Sequence, residues 1–160
     1  MKKAYGGVLI NQDGRVLLRE PTGHYHGHSW TFAKGKPLPG EPPEETALRE
    51  VLEETGFRAA IRQKLPGSFD GSRTSNEYFL MAPVEDTKTF DWETQSLKWV
   101  DREEATQLIL LTEKRKRRKR DLRVLDTAYE LFRLLNETGG QEPVPETSPQ
   151  AAGGLRQSLG

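Results

Sequence analysis

Between residues 35 and 57 the chain reads GKPLPGEPPEETALREVLEETGF, with its acids at helical spacing. Glu50, Glu53 and Glu54 stand at i, i+3 and i+4, which places them on one narrow arc of an α-helix. Three carboxylates on one arc repel one another, so the face calls for solvent or for a cation. Hard divalent ions such as Mg²⁺ take oxygen ligands, commonly one or two carboxylates together with waters and substrate phosphates. The plainer alternative is a solvated acidic helix face.

The helix that would carry these acids has its own start and stop signals. Pro42 and Pro43 suit a helix start, where the first N–H groups have no partner to lose. Glu44 and Glu45 follow in the first turn, where the helix dipole favours negative charge. Gly56 is a natural stop just beyond Thr55. At 3.6 residues per turn Leu48 and Leu52 point away from the acids, which predicts that they face the core.

Gly35, Glu41, Arg49, Glu50, Glu53, Glu54 and Gly56, with apolar Val51 and Phe57, follow G-x5-E-x7-R-E-U-x-E-E-x-G-U, where U is bulky and apolar. This pattern resembles the signature of the Nudix hydrolases at every fixed position. At ordinary residue usage a chance match is on the order of 10⁻⁹ per starting position. The resemblance implies site roles. Glu50 and Glu54 bind metal, Glu53 binds metal or orients the water, and the Gly35 carbonyl adds a ligand. Arg49 pairs with a glutamate and holds it in place, which counts it with Glu53 and Glu93 among the catalytic candidates, and Glu41 is structural. The cofactor implied is Mg²⁺, with Mn²⁺ possible. The reaction implied is attack by water on a phosphorus of a diphosphate bridge.

Elements that position the signature are legible on both sides. Strands are predicted at Ala4–Ile10, Arg15–Arg19, Trp30–Ala33, Arg58–Lys64, Asn76–Ala82 and Leu97–Val100. The Asp-Gly turn within Asn11–Gly14 predicts that the first two strands form a hairpin. Asp101 opens a short helix, and the apolar period over Lys119–Leu135 predicts a long one. The order is that of an α+β domain. It agrees with the fold the resemblance implies, a mixed β-sheet sandwiched between helices. A Nudix domain is expected over 1–136, and a disordered tail over 137–160, where Gly, Pro, Ser, Glu and Gln leave little to bury.

Composition narrows the classes further. The 160 residues carry zero formal net charge at pH 7, so no global field marks a nucleic-acid binder. There is no cysteine, hence no disulfide framework and no thiol nucleophile. The N-terminal apolar run breaks at Asn11, too short for a signal peptide, and nothing approaches a membrane span. The expectation is a cytoplasmic protein without a membrane partner, a monomer or homodimer.

Other constellations add candidates. Glu93, before the Trp99-Val100 strand end, matches a glutamate that serves some Nudix branches as extra ligand or general base, with Asp91 as its competitor. Lys34 and Lys36 flank Gly35 and are candidate phosphate contacts, as is Arg19. His24, His26 and His28 alternate. On an extended segment they would point one way, toward zinc or toward substrate phosphates, with His28 the substrate candidate. Tyr78, Phe79, Trp30 and Trp92 are aromatics able to stack on a base, Tyr78 first among them. Lys114–Arg120 is seven basic residues in a row. It reads as a solvated hinge into the last helix, or as a patch for RNA or a highly phosphorylated ligand.

The phrase TFAKG, the signature helix and the late helices most resemble the diadenosine tetraphosphate hydrolase-type branch. The small-molecule substrate implied is a dinucleoside or other nucleoside polyphosphate. Alternatives are diphosphoinositol polyphosphates, an RNA 5′ end, nucleotide sugars and oxidised nucleotides. A non-catalytic Nudix-fold binding module, or an RNA-binding protein built on the basic run, completes the set.

Overall fold

Backbone edges decide the topology. The computed structural model describes residues 1–71 and 73–138, the side chain of His26 excepted. Strand β1 (Lys2–Leu9) has both edges taken: β3 (Ala33–Gly35) pairs antiparallel on one side and β6 (Thr74–Asp86) parallel on the other. Strands β4 (Phe57–Lys64) and β5 (Phe69–Asp70) pair antiparallel with β6, completing a mixed five-stranded sheet. Strand β2 (Val16–Pro21) therefore has no edge of β1 to join. The expected hairpin is reduced to a single bridge, Ile10 to Val16, and β2 pairs with β7 (Thr94–Val100) in a separate two-stranded sheet.

Side-chain alternation fills two cores. Val8, Tyr78 and Leu80 enter one with Val16 and Leu18, while Leu9, Phe79 and Met81 enter the other with Leu17. The first core is covered by α2 (Arg102–Ile109) and α3 (Arg115–Glu137), through Ala105, Ile109, Val124, Leu125, Ala128 and Leu131. The second is covered by α1 (Pro43–Thr55), through Ala47 and Val51. Helices on both faces of a mixed sheet give the α+β sandwich expected. Among the described residues no helix is long and apolar enough to cross a membrane.

Three boundaries differ from expectation. The Trp30–Ala33 strand begins only at Ala33, because Thr31 is drawn into a bridge with Arg19 of β2. Helix α3 starts at Arg115, so the basic run is its first turns and not a hinge; Lys and Arg are good helix formers. Nor is the run wholly solvated, since Arg120 is buried and its Nε donates to Asp121 Oδ1 at 2.9 Å. At its other end α3 runs to Glu137, past the expected domain boundary, and the expected tail from 139 on lies outside the described residues.

The β1–β3 approach depends on Gly6. A Cβ there would lie 2.2 Å from the Ala33 carbonyl oxygen, a backbone atom that the register holds in place. Gly6→Ala should cost about 1–3 kcal/mol or more. Gly67→Ala, in open space at φ +83, should cost only the left-handed strain of about 1–2 kcal/mol. Urea unfolding midpoints check the order; an unchanged midpoint for Gly6→Ala would mean that the strands can separate there without loss.

Candidate active site

Helix α1 is built as its sequence predicts at both ends. Pro42 is the N-cap, Pro43 opens the helix, Glu44 and Glu45 lie in the first turn, and Gly56 closes it at φ 78. Its rotation differs. Thr46, Ala47, Glu50, Val51, Glu54 and Thr55 are buried, whereas Leu48 and Leu52 are only half-buried, so Leu48 and Leu52 do not define the core face. The floor beneath explains this. A Cβ on Gly7 would lie 2.7 Å from Val51 Cγ2, and one on Gly35 would lie 2.1 Å from Glu50 Oε2. Glycines let the helix sit close, and they admit carboxylates where side chains would otherwise stand. Glu50 and Glu54 are thus 9% and 5% exposed, while the Glu53 side chain, farther round, is 45% exposed.

Arg49 fastens this face to the loop before it. Nε donates to Glu41 Oε2 at 2.8 Å, and Nη2 donates to Glu41 Oε1 at 2.9 Å and to the Lys36 carbonyl at 3.1 Å. Nη1 donates to Glu50 Oε2 at 3.0 Å and to Glu53 Oε1 at 3.2 Å. All the guanidinium N–H groups are engaged by protein acceptors. Arg49 is thereby wholly occupied in holding Glu41, Glu50, Glu53 and the Lys36 carbonyl. Glu41 also accepts from Leu38 N and Thr46 Oγ1, and its hydrogen bonds, chiefly from Arg49, hold its carboxyl down at about 2. Lys36 meets this network through its backbone carbonyl, and its side chain is exposed.

Glu54 is held from the other side. Lys34 N donates to Glu54 Oε1 at 3.3 Å, and Arg19 Nε lies 3.6 Å from the same oxygen. Arg19 is 9% exposed; Nε donates to Thr94 Oγ1 at 2.7 Å and Nη2 to the Glu93 carbonyl at 2.8 Å. It is a buried brace between the two-stranded sheet and α1, which nothing in the local pattern of β2 could have signalled. Glu93 N donates to Asp91 Oδ1, and Asp91 N donates to the Glu53 carbonyl at 2.8 Å. Asp91 is therefore engaged in shaping the loop, while the Glu93 carboxylate is near enough to Glu50, Glu53 and Glu54 to feel or exert charge on each.

Burial sets the electrostatics. It is the largest cause pushing the Glu54 carboxyl up, to about 8, with the Glu50 charge adding to it against Arg19. Burial likewise raises Glu50, and raises Glu93 with help from Asp91 and Glu50. Two neighbouring buried carboxylates with raised pKa form a place where a divalent cation would replace protons. Among the described residues no three acids already close into a finished coordination sphere, since Arg49 holds Glu50 and Glu53. The donor set nonetheless suits a hard cation: carboxylate oxygens, with Gly35 pressed against Glu50.

Other candidates stand elsewhere. Tyr78 is 1% exposed, its ring edge-on to Phe32 and Phe69 in the first core, so it offers no surface to a substrate. Phe79 is buried on the opposite face and Trp30 packs at the rim of the first core; Trp92 is exposed. Both strand aromatics are core because helices cover both faces of the sheet. His24 and His28 do not converge, because Thr22–Gly27 is a 3-10 turn and not an extended segment. His24 Nε2 meets Glu20 Oε2 at 2.9 Å, whereas His28 is buried, Nδ1 3.6 Å from Asp121 Oδ2, with burial pushing its pKa down to about 4.

Known proteins resemble this chain in sequence and in fold. A putative 8-oxo-dGTP diphosphatase of Bacillus subtilis is 32% identical over 96 residues, 58% of this chain and 62% of its own. An RNA pyrophosphohydrolase of Proteus mirabilis is 43% identical over 72 residues, 38% of this chain and 39% of its own. The chain spans between 12% and 62% of the length of the curated relatives it matches. Among solved structures, a C. elegans Ap4A hydrolase in a binary complex superposes with a TM-score of 0.64 at 23% identity, covering 84% of this chain and 99% of that one, a likeness of fold. The NUDIX domain family model matches residues 1–123, from β1 through the basic turns of α3 and across every carboxylate just described. The match takes in the glutamate-bearing helix, its glycine floor and its arginine clamp, and this chain belongs to the Nudix family.

Proposed function

We propose that the chain is a metal-dependent pyrophosphohydrolase that cleaves the diphosphate bridge of a dinucleoside polyphosphate or nucleoside polyphosphate. The observation that carries this reading is the buried Glu50–Glu54 pair against Gly35, clamped from opposite sides by Arg49 and Arg19. Relatives named 8-oxo-dGTP diphosphatase and RNA pyrophosphohydrolase support a phosphoanhydride as the bond attacked. The second of these, with the basic start of α3, supports an RNA 5′ end as the next reading.

Glu50 and Glu54, with the Gly35 carbonyl, would hold Mg²⁺ or Mn²⁺. When bound, such an ion neutralises charge on phosphate oxygens and makes a water more acidic. Arg49 keeps Glu50 and Glu53 in register, and Glu53, half-exposed at the rim, orients the attacking water. Glu93 takes the proton: burial and the neighbouring Asp91 and Glu50 raise its carboxyl, which suits a general base. Water oxygen bonds to phosphorus, the bridging P–O bond breaks, and the leaving phosphate departs with the bridging oxygen. Lys34 and Lys36 bind phosphate oxygens as point charges.

A panel of diphosphates incubated with Mg²⁺ in ¹⁸O-labelled water tests the reading by naming the substrate and the phosphorus attacked. Release of no labelled phosphate product from any member would overturn it. Glu54→Gln should lower kcat by about 10²-fold or more, and Arg49→Lys by about 10–100-fold, because an ammonium cannot span Glu41, Glu50, Glu53 and the Lys36 carbonyl. Turnover near wild type in both would refute the roles assigned.

Stability should report the buried pair directly. The folded-state pKa of Glu54 is raised from 4.5 to about 8, so unfolding releases a proton in that window and stability falls as pH rises through it. His28, lowered from 6.5 to about 4, acts below 6.5, and Lys34, lowered to about 8, acts above that, leaving pH 6.5–8 to the carboxylates. In EDTA, melting temperature should decline across that window, by up to about 1.4 kcal/mol of stability per pH unit. Added Mg²⁺ should abolish the decline, and Glu54→Gln should lack it. A flat profile in EDTA for the unmodified protein would contradict the assignment.

A further inference from the structure

The turn that leads into β7 is fastened on every side. Asp91 N donates to the Glu53 carbonyl at 2.8 Å, which ties it to the acidic helix. Thr22 Oγ1 donates to the Trp92 carbonyl at 2.6 Å, while Thr22 N and Arg19 Nη2 donate to the Glu93 carbonyl at 3.0 Å and 2.8 Å. The turn also closes on itself: Glu93 N donates to Asp91 Oδ1 at 3.0 Å, and Thr94 N donates to the Asp91 carbonyl at 3.3 Å. Its backbone is thus pinned to α1, to β2 and to the 3-10 turn at once.

Trp92 and Glu93 are the two central residues of this turn. The Glu93 carboxylate lies within electrostatic reach of Glu50, Glu53 and Glu54. Trp92 is 81% exposed, the most exposed of the described aromatic side chains. A single exposed apolar residue is ordinary on a protein surface. The place of this one is not. Consecutive Cα atoms are about 3.8 Å apart, so the indole stands at the apex beside the acid that overlooks the carboxylate site. The other indoles are engaged elsewhere: Trp99 lies edge-on to Phe57 with ring centroids 5.5 Å apart, and Trp30 packs on the first core.

An indole face is wide and rigid, and two side-chain torsions orient it, so little freedom is lost when a flat group lies on it. Such a face does not attract phosphate. It attracts a flat π system, and stacking of this kind accepts every nucleobase because each has a π-face. A nucleotide whose phosphates lie over the carboxylates carries its base one sugar away, on the scale of the step from Glu93 to the Trp92 ring.

We propose that Trp92 is the platform on which the substrate's nucleobase stacks while its phosphates occupy the carboxylate site. The proposal rests on the hydrolytic reading for the place of the phosphates. It makes base-bearing phosphoanhydrides the substrate class and sets diphosphoinositol polyphosphates, which have no base, outside it. A free nucleotide and the first nucleotide of an RNA end share this chemistry.

The test compares α,β-methylene-ADP with methylenediphosphonate, both with Mg²⁺. The two share a P–C–P bridge that phosphoanhydride hydrolysis cannot cut, and they differ in the nucleoside. The first should quench the tryptophan fluorescence of the unmodified protein saturably and bind more tightly than the second. In Trp92→Ala the quench should vanish, which places the signal on that ring. Calorimetric affinity for α,β-methylene-ADP should fall about tenfold or more, the loss expected for one stacked base. Methylenediphosphonate should bind within about twofold of its affinity for the unmodified protein. Trp92→Phe, which keeps a π-face, should recover most of the loss, and Trp92→Leu, which keeps apolar bulk alone, should not. Melting temperature should be unchanged in all three, because the indole is solvent-exposed. Affinity of Trp92→Ala for α,β-methylene-ADP within about twofold of the unmodified protein's, or equal recovery by leucine and phenylalanine, would overturn the proposal. ADP and the wider diphosphate panel, assayed alongside, keep the two readings apart. Ring-dependent binding without hydrolysis of any member leaves the platform standing while the hydrolytic reading falls, and hydrolysis with ring-independent binding does the reverse. A 5′-triphosphorylated oligoribonucleotide separates the sources through its kcat/KM. A loss in Trp92→Ala matching the nucleotide's assigns the platform to the first base of a strand as well, and no loss confines it to free nucleotides.

Discussion

Two carboxylates placed side by side under a helix, almost out of reach of water, are the constraint that everything else in this fold serves. Such a pair opposes folding unless protons or a cation relieve it. The surrounding structure supplies what keeps the acids there: a glycine floor in β1 and β3, the Arg49 clamp on one flank and Arg19 on the other. Each device lies on a different element, so the strain is borne by the whole sandwich and not by α1 alone.

Arg49 shows why the signature requires arginine. A planar fork with N–H groups on three nitrogens can serve two acids of its own helix, a third acid from the preceding loop and a backbone carbonyl at once. That one side chain fixes where the loop 36–41 runs and how Glu50 and Glu53 are aimed. Glu41 completes the arrangement by neutralising the guanidinium, and its own hydrogen bonds from Leu38 and Thr46 tie the loop to the helix start.

Much of this was legible because it is local. Helix α1 could be bounded by Pro43 and Gly56, and the strands placed to within a few residues, from patterns confined to each segment. What failed depends on partners distant in sequence. Leu48 and Leu52 looked like core residues until the glycine floor rotated Glu50 and Glu54 inward. The β1–β2 hairpin was a fair reading of an Asp-Gly turn, but β6 and β3 claim the edges of β1. Tyr78 and Phe79, adjacent on a strand, face opposite ways, and both are buried because each face of the sheet has its own helices. Arg19 gave no local sign of its role, since Glu54 lies on another element and Thr94 lies 75 positions away in the chain.

That last separation bears on assembly. Arg19 arrives from the small sheet and meets Thr94 and the Glu93 carbonyl only when β7, some 75 positions on, has docked. Contacts closing so long a loop form late and slowly. The acidic helix can therefore take shape early, but its second clamp cannot, and a nascent or truncated chain lacking β7 would hold the glutamates without the brace that makes them a working pair.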